Sequence, residues 1–291
     1  MSGISVSVVI PARNAAGTLD LQLGALARQD VRGSWEVIVS DNGSIDETTA
    51  VVETWASKVP RLRLIECKRP GTNAARNDGV GAAAADRILF CDADDLVSTG
   101  WVREMAAALD SFDVVGGRLD YLRLNTPFIR GTRPHSGSER LPTTFGDLPF
   151  AIGASMGMRR SVFEAIAGFD ESFMTGSTEV DFCLRSQYAG FTLGFVRDAV
   201  VHYRLRSRLG PFAHQYYMYA LGEAGLYAKH CALGRLPEQS RREQCSVLFL
   251  YVKRLAHVER LVKPEHRWRY VRWAAGFVGS IRGLARYGVA V

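Results

Sequence analysis

Four times in about the first hundred residues, an apolar β-branched run gives way to a segment with helical spacing, and this alternation restricts the fold more than any other feature of the chain. Ser5-Val6-Ser7-Val8-Val9-Ile10 reads as a buried strand that Pro11 ends. The following segment sets Leu19, Leu23 and Leu26 on one face, with Thr18 as its cap. A second strand, 35–40, runs into the turn composition Asp41-Asn42-Gly43-Ser44 and then into a helix over about 47–58. A third strand over 62–65 precedes an alanine-rich helix over 73–85, and a fourth begins at Ile88. Parallel neighbours need a crossover between them, so the pattern predicts an α/β fold with a parallel sheet. Ligands of such sheets bind at the carboxyl ends of the strands.

The fourth strand ends in Cys91-Asp92-Ala93-Asp94-Asp95, three carboxylates within four residues. Asp92 and Asp94 lie two apart, so on extended backbone they leave the same face, where a hard divalent cation would relieve their repulsion. Helix capping explains one of the three, since a helix over about 99–109 follows, but not the pair at the strand edge.

Several ordered motifs together resemble the inverting glycosyltransferases of family 2, which have the GT-A nucleotide-sugar-binding fold, Rossmann-like with flanking helices. Val8-Val9-Ile10-Pro11-Ala12-Arg13-Asn14 is similar to the family's opening strand and nucleotide loop. Asp41-Asn42-Gly43-Ser44-Ile45-Asp46 resembles its uracil-contacting loop, with Asn42 in place of the usual second acid. Ala75-Arg76-Asn77-Asp78-Gly79 and Asp92-Ala93-Asp94-Asp95 resemble two further elements, and 153–160 with Gly168-Phe169-Asp170-Glu171 resembles the acceptor-side segment. The resemblance covers roughly 5–204. It implies a nucleotide-sugar site made by Pro11, Ala12, Arg13, Asn14, Asp41, Arg76, Asp92, Ala93 and Asp94. It further implies Mn2+ or Mg2+ held by Asp94 and Asp92, with His202 of Val200-Val201-His202-Tyr203-Arg204 as third ligand.

The family places its general base in a Glu-Asp-x-Asp run at a helix start. Here the aligned residues are Thr178, Glu179, Val180 and Asp181, so Glu179 fills the base position and Asp181 is the reserve. With one base and no carboxylate placed as nucleophile, a single displacement with inversion is expected, through an oxocarbenium-like transition state. Asp41 can accept a hydrogen bond from a base N–H, which favours uracil, or it can bond its own turn. Arg76 can pair with a phosphate, with Asp92 or with solvent.

On this reading 1–208 forms the catalytic domain, with a nucleotide-sugar half to about 117 and an acceptor half over 118–208, and 209–291 is a helical C-terminal extension. Residues 1–250 hold 27 Lys and Arg against 28 acids, whereas 251–291 hold nine against two, so the formal charge of +6 resides in the tail. Over 266–287 a helical wheel gathers Tyr270, Val271, Trp273, Phe277, Val278, Ile281 and Leu284 opposite Arg269, Arg272 and Arg286, with Gly276, Gly279 and Gly283 between them. That suits either peripheral contact with an anionic membrane or packing on the protein's own body. The stretch 118–149 lacks periodicity and reads as a lid or binding loop, with Arg130, Arg133 and His135 facing an anionic acceptor. Tyr216, Tyr217, Tyr219 and Tyr227 suit a groove or a packed aromatic face.

The partners implied are a UDP-sugar donor and a glycan, lipid-linked or small-molecule acceptor. Nucleic acid is not expected, because no nucleic-acid module is present. Five cysteines without a Cys-x-x-Cys pair, no signal segment and no bilayer-length apolar run lead to a cytoplasmic expectation, with the membrane's inner face as an alternative. A sugar-1-phosphate nucleotidyltransferase would share the sheet but needs a glycine-rich first loop, and 11–17 has one glycine. A non-catalytic nucleotide- or glycan-binding module on the same fold is the other alternative.

Overall fold

A computed structural model describes residues 3–133, 139–173, 176–258 and 262–291; His135 lies outside them. The chain forms two compact units, one from 1–124, 135–174 and 178–204, the other from 125–134, 175–177 and 205–291.

In chain order the elements are β1 (Val6–Ala12), α1 (Ala16–Leu26), β2 (Trp35–Asp41), α2 (Thr48–Trp55), β3 (Leu62–Glu66), α3 (Thr72–Ala82), β4 (Arg87–Phe90), β5 (Leu96–Val97) and α4 (Trp101–Ala108). Then come β6 (Val114–Asp120), α5 (Pro127–Arg130, in the second unit), β7 (Thr143–Thr144), β8 (Leu148–Pro149), β9 (Met156–Arg159), α6 (Arg160–Ala165), α7 (Thr178–Tyr188) and β10 (Leu193–His202). Eight strands make one sheet in the order β3-β2-β1-β4-β9-β6-β10-β5. The first four are parallel, as the alternation predicts, while β9 runs antiparallel to both β4 and β6. Val8, Val9, Ile10, Ile38, Leu89 and Phe90 are fully buried in this sheet, and α1 covers it with Leu19, Leu23 and Leu26.

Four local expectations are corrected. Strand β1 continues through Pro11 to Ala12, because pairing with β4 stops at Val9 and the missing N–H interrupts no ladder on that side. Thr18 does not cap α1; its hydroxyl donates to the Ala15 carbonyl (3.3 Å), and the helix start is served instead by Thr48 Oγ1 and Asp46 Oδ2, which accept from the N–H groups of Ala15 and Ala16. Residues 192–196 and 199–203 read in sequence as two short strands, but they form one strand, β10, with a register shift between Val196 and Val200. The stretch 118–149 is not one irregular loop, since it holds the end of β6, α5 and the β7–β8 hairpin.

The second unit is helical, with α8 (Leu209–Ala232), α9 (Arg241–Leu255) and α10 (Pro264–Tyr287). The tail's glycines are where α10 meets its neighbours: a Cβ on Gly279 would stand 2.5 Å from the Tyr217 carbonyl oxygen and 2.9 Å from Ala220 Cβ, and one on Gly283 would overlap Ala224. Phe212 packs edge-on to Trp268 (ring centroids 4.7 Å apart) and close to Tyr216 (4.8 Å), which in turn meets Tyr219 edge-on, so these two tyrosines belong to a packed aromatic cluster. Among the described residues no helix is long and apolar enough to cross a membrane.

Candidate active site

The carboxyl ends of β1, β2 and β4 lie side by side, and the loops leaving them are tied together. At β4, carboxylate oxygens of Asp92, Asp94 and Asp95 lie within 4.8 Å of one another, the first two half-buried and Asp95 buried. Two residues outside the motif hold this loop. Gln22, fully buried on α1, donates from Nε2 to the Asp92 carbonyl (3.1 Å) and accepts at Oε1 from the Val97 N–H (3.0 Å). Arg204 donates from Nε to the Asp94 carbonyl (2.8 Å) and from its backbone N–H to Asp95 Oδ1 (2.7 Å). Gln22 was visible in the sequence as one polar residue inside the stripe Leu19, Leu23, Leu26. Arg204 thus fastens the acidic loop through one side-chain and one backbone bond. Three clustered carboxylates are hard oxygen donors, a set that fits Mg2+ or Mn2+.

His202 lies outside that group. Its Nδ1 is 2.6 Å from Asp120 Oδ2, and its Nε2 is 3.3 Å from Arg123 Nη1. Burial works to raise the Asp120 carboxyl, but the His202 bond and the backbone N–H groups of Leu122 and Arg123 outweigh it, so the carboxyl sits below its ordinary range. Both ring nitrogens therefore face neighbouring side chains, Asp120 and Arg123.

The β1 and β2 loops interlock. Asn14, at φ +51°, accepts at Oδ1 from the Ile45 N–H and donates its own N–H to Ser44 Oγ, both at 2.9 Å. Asp41 is buried beside Ala12 in the β1–β2 register and accepts from the Ser44 N–H (3.2 Å) and hydroxyl. The turn-bonding role is therefore present, and a carboxylate retains capacity for a base N–H. Pro11 and Ala12 line the strand end, and Arg13 is exposed. Asn42, the departure from the family pattern, donates from Nδ2 to the Arg69 carbonyl (2.6 Å) and, more weakly, to that of Cys67 (3.4 Å), while accepting at Oδ1 from the Gly71 N–H (2.8 Å). A carboxylate cannot make the first two bonds.

Arg76, on α3, is the electrostatic centre. It is 3 % exposed, with Nη2 3.9 Å from Asp92 and Nη1 4.0 Å from Glu179. Nη1 also donates to Thr178 Oγ1 (3.1 Å), which donates on to Glu179 Oε2 (2.6 Å). Its guanidinium carbon lies 5.5 Å from the Phe169 ring centre, and a Cβ on Gly153 would overlap Nη2. Among the described residues Nε has no hydrogen-bond partner. A buried guanidinium thus stands between the acidic loop and the expected base, and a glycine makes room for it. Asp181 is placed otherwise: it is fully buried, with Oδ2 accepting from Arg185 Nε (2.7 Å), while Arg185 also donates to the carbonyls of Ile166 and Gly168. That geometry ties α7 to 166–168 and keeps Asp181 from an acceptor hydroxyl. Glu171 serves a similar fastening role, accepting from Arg69 and Asn77, whose bonds hold its carboxyl below the ordinary range.

Glycosyltransferase AglE of Haloferax volcanii is 26% identical over 199 residues, 67% of this chain; the chain spans 65% of that relative's length, just under two thirds. The mannosyltransferase PcManGT of Pyrobaculum calidifontis, solved with GDP-Man and Mn2+, aligns with 98% of this chain and 88% of its own at a TM-score of 0.67 and 18% identity. TarS of S. aureus, solved with UDP, aligns with 98% and 92% at 0.57 and 18%. These likenesses show the fold, the GT-A arrangement of a mainly parallel sheet with flanking helices, followed here by C-terminal helices. The family model described as glycosyl transferase family 2 matches residues 7–167, more than half the chain, and the chain belongs to that family.

Proposed function

We propose that this chain is a metal-dependent, inverting glycosyltransferase that moves a sugar from a nucleoside diphosphate, UDP foremost, to an acceptor hydroxyl. The observation that carries the reading is Arg76 held between Asp92 and Glu179, which sets a cation-binding pair and a base on either side of one buried positive charge. Asp92 and Asp94 would hold Mn2+ or Mg2+, which supplies charge stabilisation to the departing diphosphate. Pro11, Ala12, Arg13, Asn14 and Ala93 frame the donor, and Asp41 accepts from the uracil N–H. Glu179 takes the acceptor proton: the Thr178 hydroxyl holds Oε2, which leaves Oε1 as the oxygen to receive it. Arg76, 4.0 Å from Glu179, sets a positive charge beside this carboxylate. Asp181 supports this helix rather than the chemistry.

The relatives support this assignment through what they bind, namely UDP in one neighbour and GDP-Man with Mn2+ in another. The first compact unit carries the chemistry, and the acceptor is a glycan, a lipid-linked intermediate or a small molecule. The test is turnover of UDP-sugars, followed by UDP release with and without Mn2+. Loss of turnover in Asp94→Ala and retention of UDP binding in Glu179→Gln support the mechanism. Turnover indifferent to both substitutions overturns it, and formation of UDP-sugar from UTP and a sugar 1-phosphate would mark a nucleotidyltransferase.

A further inference from the structure

Helix α9 has an unusual exposure. None of its residues is buried, and Phe249, Leu250 and Val252 are 69 %, 46 % and 52 % exposed. Its inward side is accounted for: Tyr251 meets Gly276 and Phe277 of α10, and Arg254 lies over Trp273. On the wheel, Cys245, Phe249 and Val252 fall on the opposite side, with exposed Arg242 and Lys253 flanking Phe249. Helix α10, in contrast, spends much of its surface on neighbours, through its glycines toward α8 and through Phe277 toward α9.

We propose that the outward face of α9, Phe249 and Val252 flanked by Arg242 and Lys253, docks on an anionic lipid bilayer with the helix lying in the interface. Charge complementarity selects this occupant. The outward face carries Arg242 and Lys253, and the one acid of α9, Glu243, is engaged with Ser240 at the helix start, so a second copy would bring like charge to the same face. Cations beside outward apolar side chains match a surface that offers phosphate headgroups above acyl chains. The inference rests on the enzyme reading for its purpose, a lipid-borne acceptor, but not for its test.

The experiment is co-sedimentation of the full chain with vesicles of phosphatidylglycerol and phosphatidylcholine at about one to three, and of phosphatidylcholine alone. Binding to the anionic vesicles only is expected, falling roughly tenfold or more in the pair Phe249→Glu with Val252→Glu, and comparably in Arg242→Glu with Lys253→Glu, which alters exposed charge alone and guards against misfolding. UDP-sugar turnover in solution, measured on the same variants, stays at the wild-type level, so the two readings fail separately. Wild-type chain left in the supernatant, binding unchanged in both variants, or a dimer in sedimentation velocity that the Phe249 variant dissolves would each overturn the proposal.

Discussion

Asn42 offers a test in which restoring the residue usual to the family should harm this chain. In Asn42→Asp the 2.6 Å bond to the Arg69 carbonyl and the weaker one to Cys67 disappear, and a carboxylate oxygen faces a carbonyl oxygen at hydrogen-bond distance. Each lost bond is worth about 0.5–1.5 kcal/mol net, the lower end applying because the site is part-exposed, and the oxygen–oxygen repulsion adds about 1 kcal/mol. Against this, the Gly71 N–H would donate to an anion and roughly double in strength, returning about 1 kcal/mol. The losses win by about 1–2 kcal/mol, a fall in Tm of about 2–8 °C at neutral pH by calorimetry. The pH dependence is sharper still. The new carboxyl is disfavoured as an anion, so its folded pKa lies above the unfolded value of about 3.9; protonated, it donates to Arg69 again. The deficit is therefore full above the folded pKa and shrinks as pH falls through it. A variant within about 0.5 kcal/mol of wild type at neutral pH, or a deficit that grows in acid, would refute the reasoning.

Asp94→Asn should lower the Mn2+-supported rate by about a hundredfold or more with little change in stability, read by UDP release across a manganese titration. Glu179→Gln should cut kcat by about 100- to 10,000-fold, and Glu179→Asp, with the family's shorter acid, should keep measurable activity with a raised acceptor KM. Gly153→Ala places a methyl group where Arg76 Nη2 lies, so activity should drop by about tenfold or more while circular dichroism remains that of the wild type. Glu36, buried on β2, is pushed up by burial but pulled further down by Ser7, the Ala84 N–H and Arg63, so its carboxyl lies below its ordinary value. Its stabilisation is present above about pH 4.3 and lost as pH falls through the depressed folded value; Glu36→Gln should cost about 1–3 kcal/mol at pH 7 and flatten the acid limb in urea titrations.

The parallel half of the sheet was legible because β1, β2 and β4 are built on the apolar runs 8–10, 37–39 and 88–90, and the acidic loop because no core tolerates three neighbouring carboxylates. The antiparallel half was not. Strand β9 is Met-Gly-Met-Arg, a short run whose glycine matters because a Cβ there would stand 2.8 Å from both Leu89 and Val115, a packing fact with no local signature. Likewise, Glu179 and Asp181 are both acids in one helical turn, and only the position of Arg185 separates a fastened carboxylate from an accessible one. Gln22 lay in plain view, whereas the use of the Arg204 backbone depends on where β10 ends.

The sheet order also has a consequence for how the chain is made. Strand β9, residues 156–159, fills the slot between β4 and β6, which are complete by residue 120. Until that late segment emerges from the ribosome, two open edges rich in buried-type side chains must wait unjoined, at the point where pairing with a foreign chain is easiest. Closure of the gap is a long-range event that joins β4 to β6, so the free edge of β4 stays open until these four residues arrive.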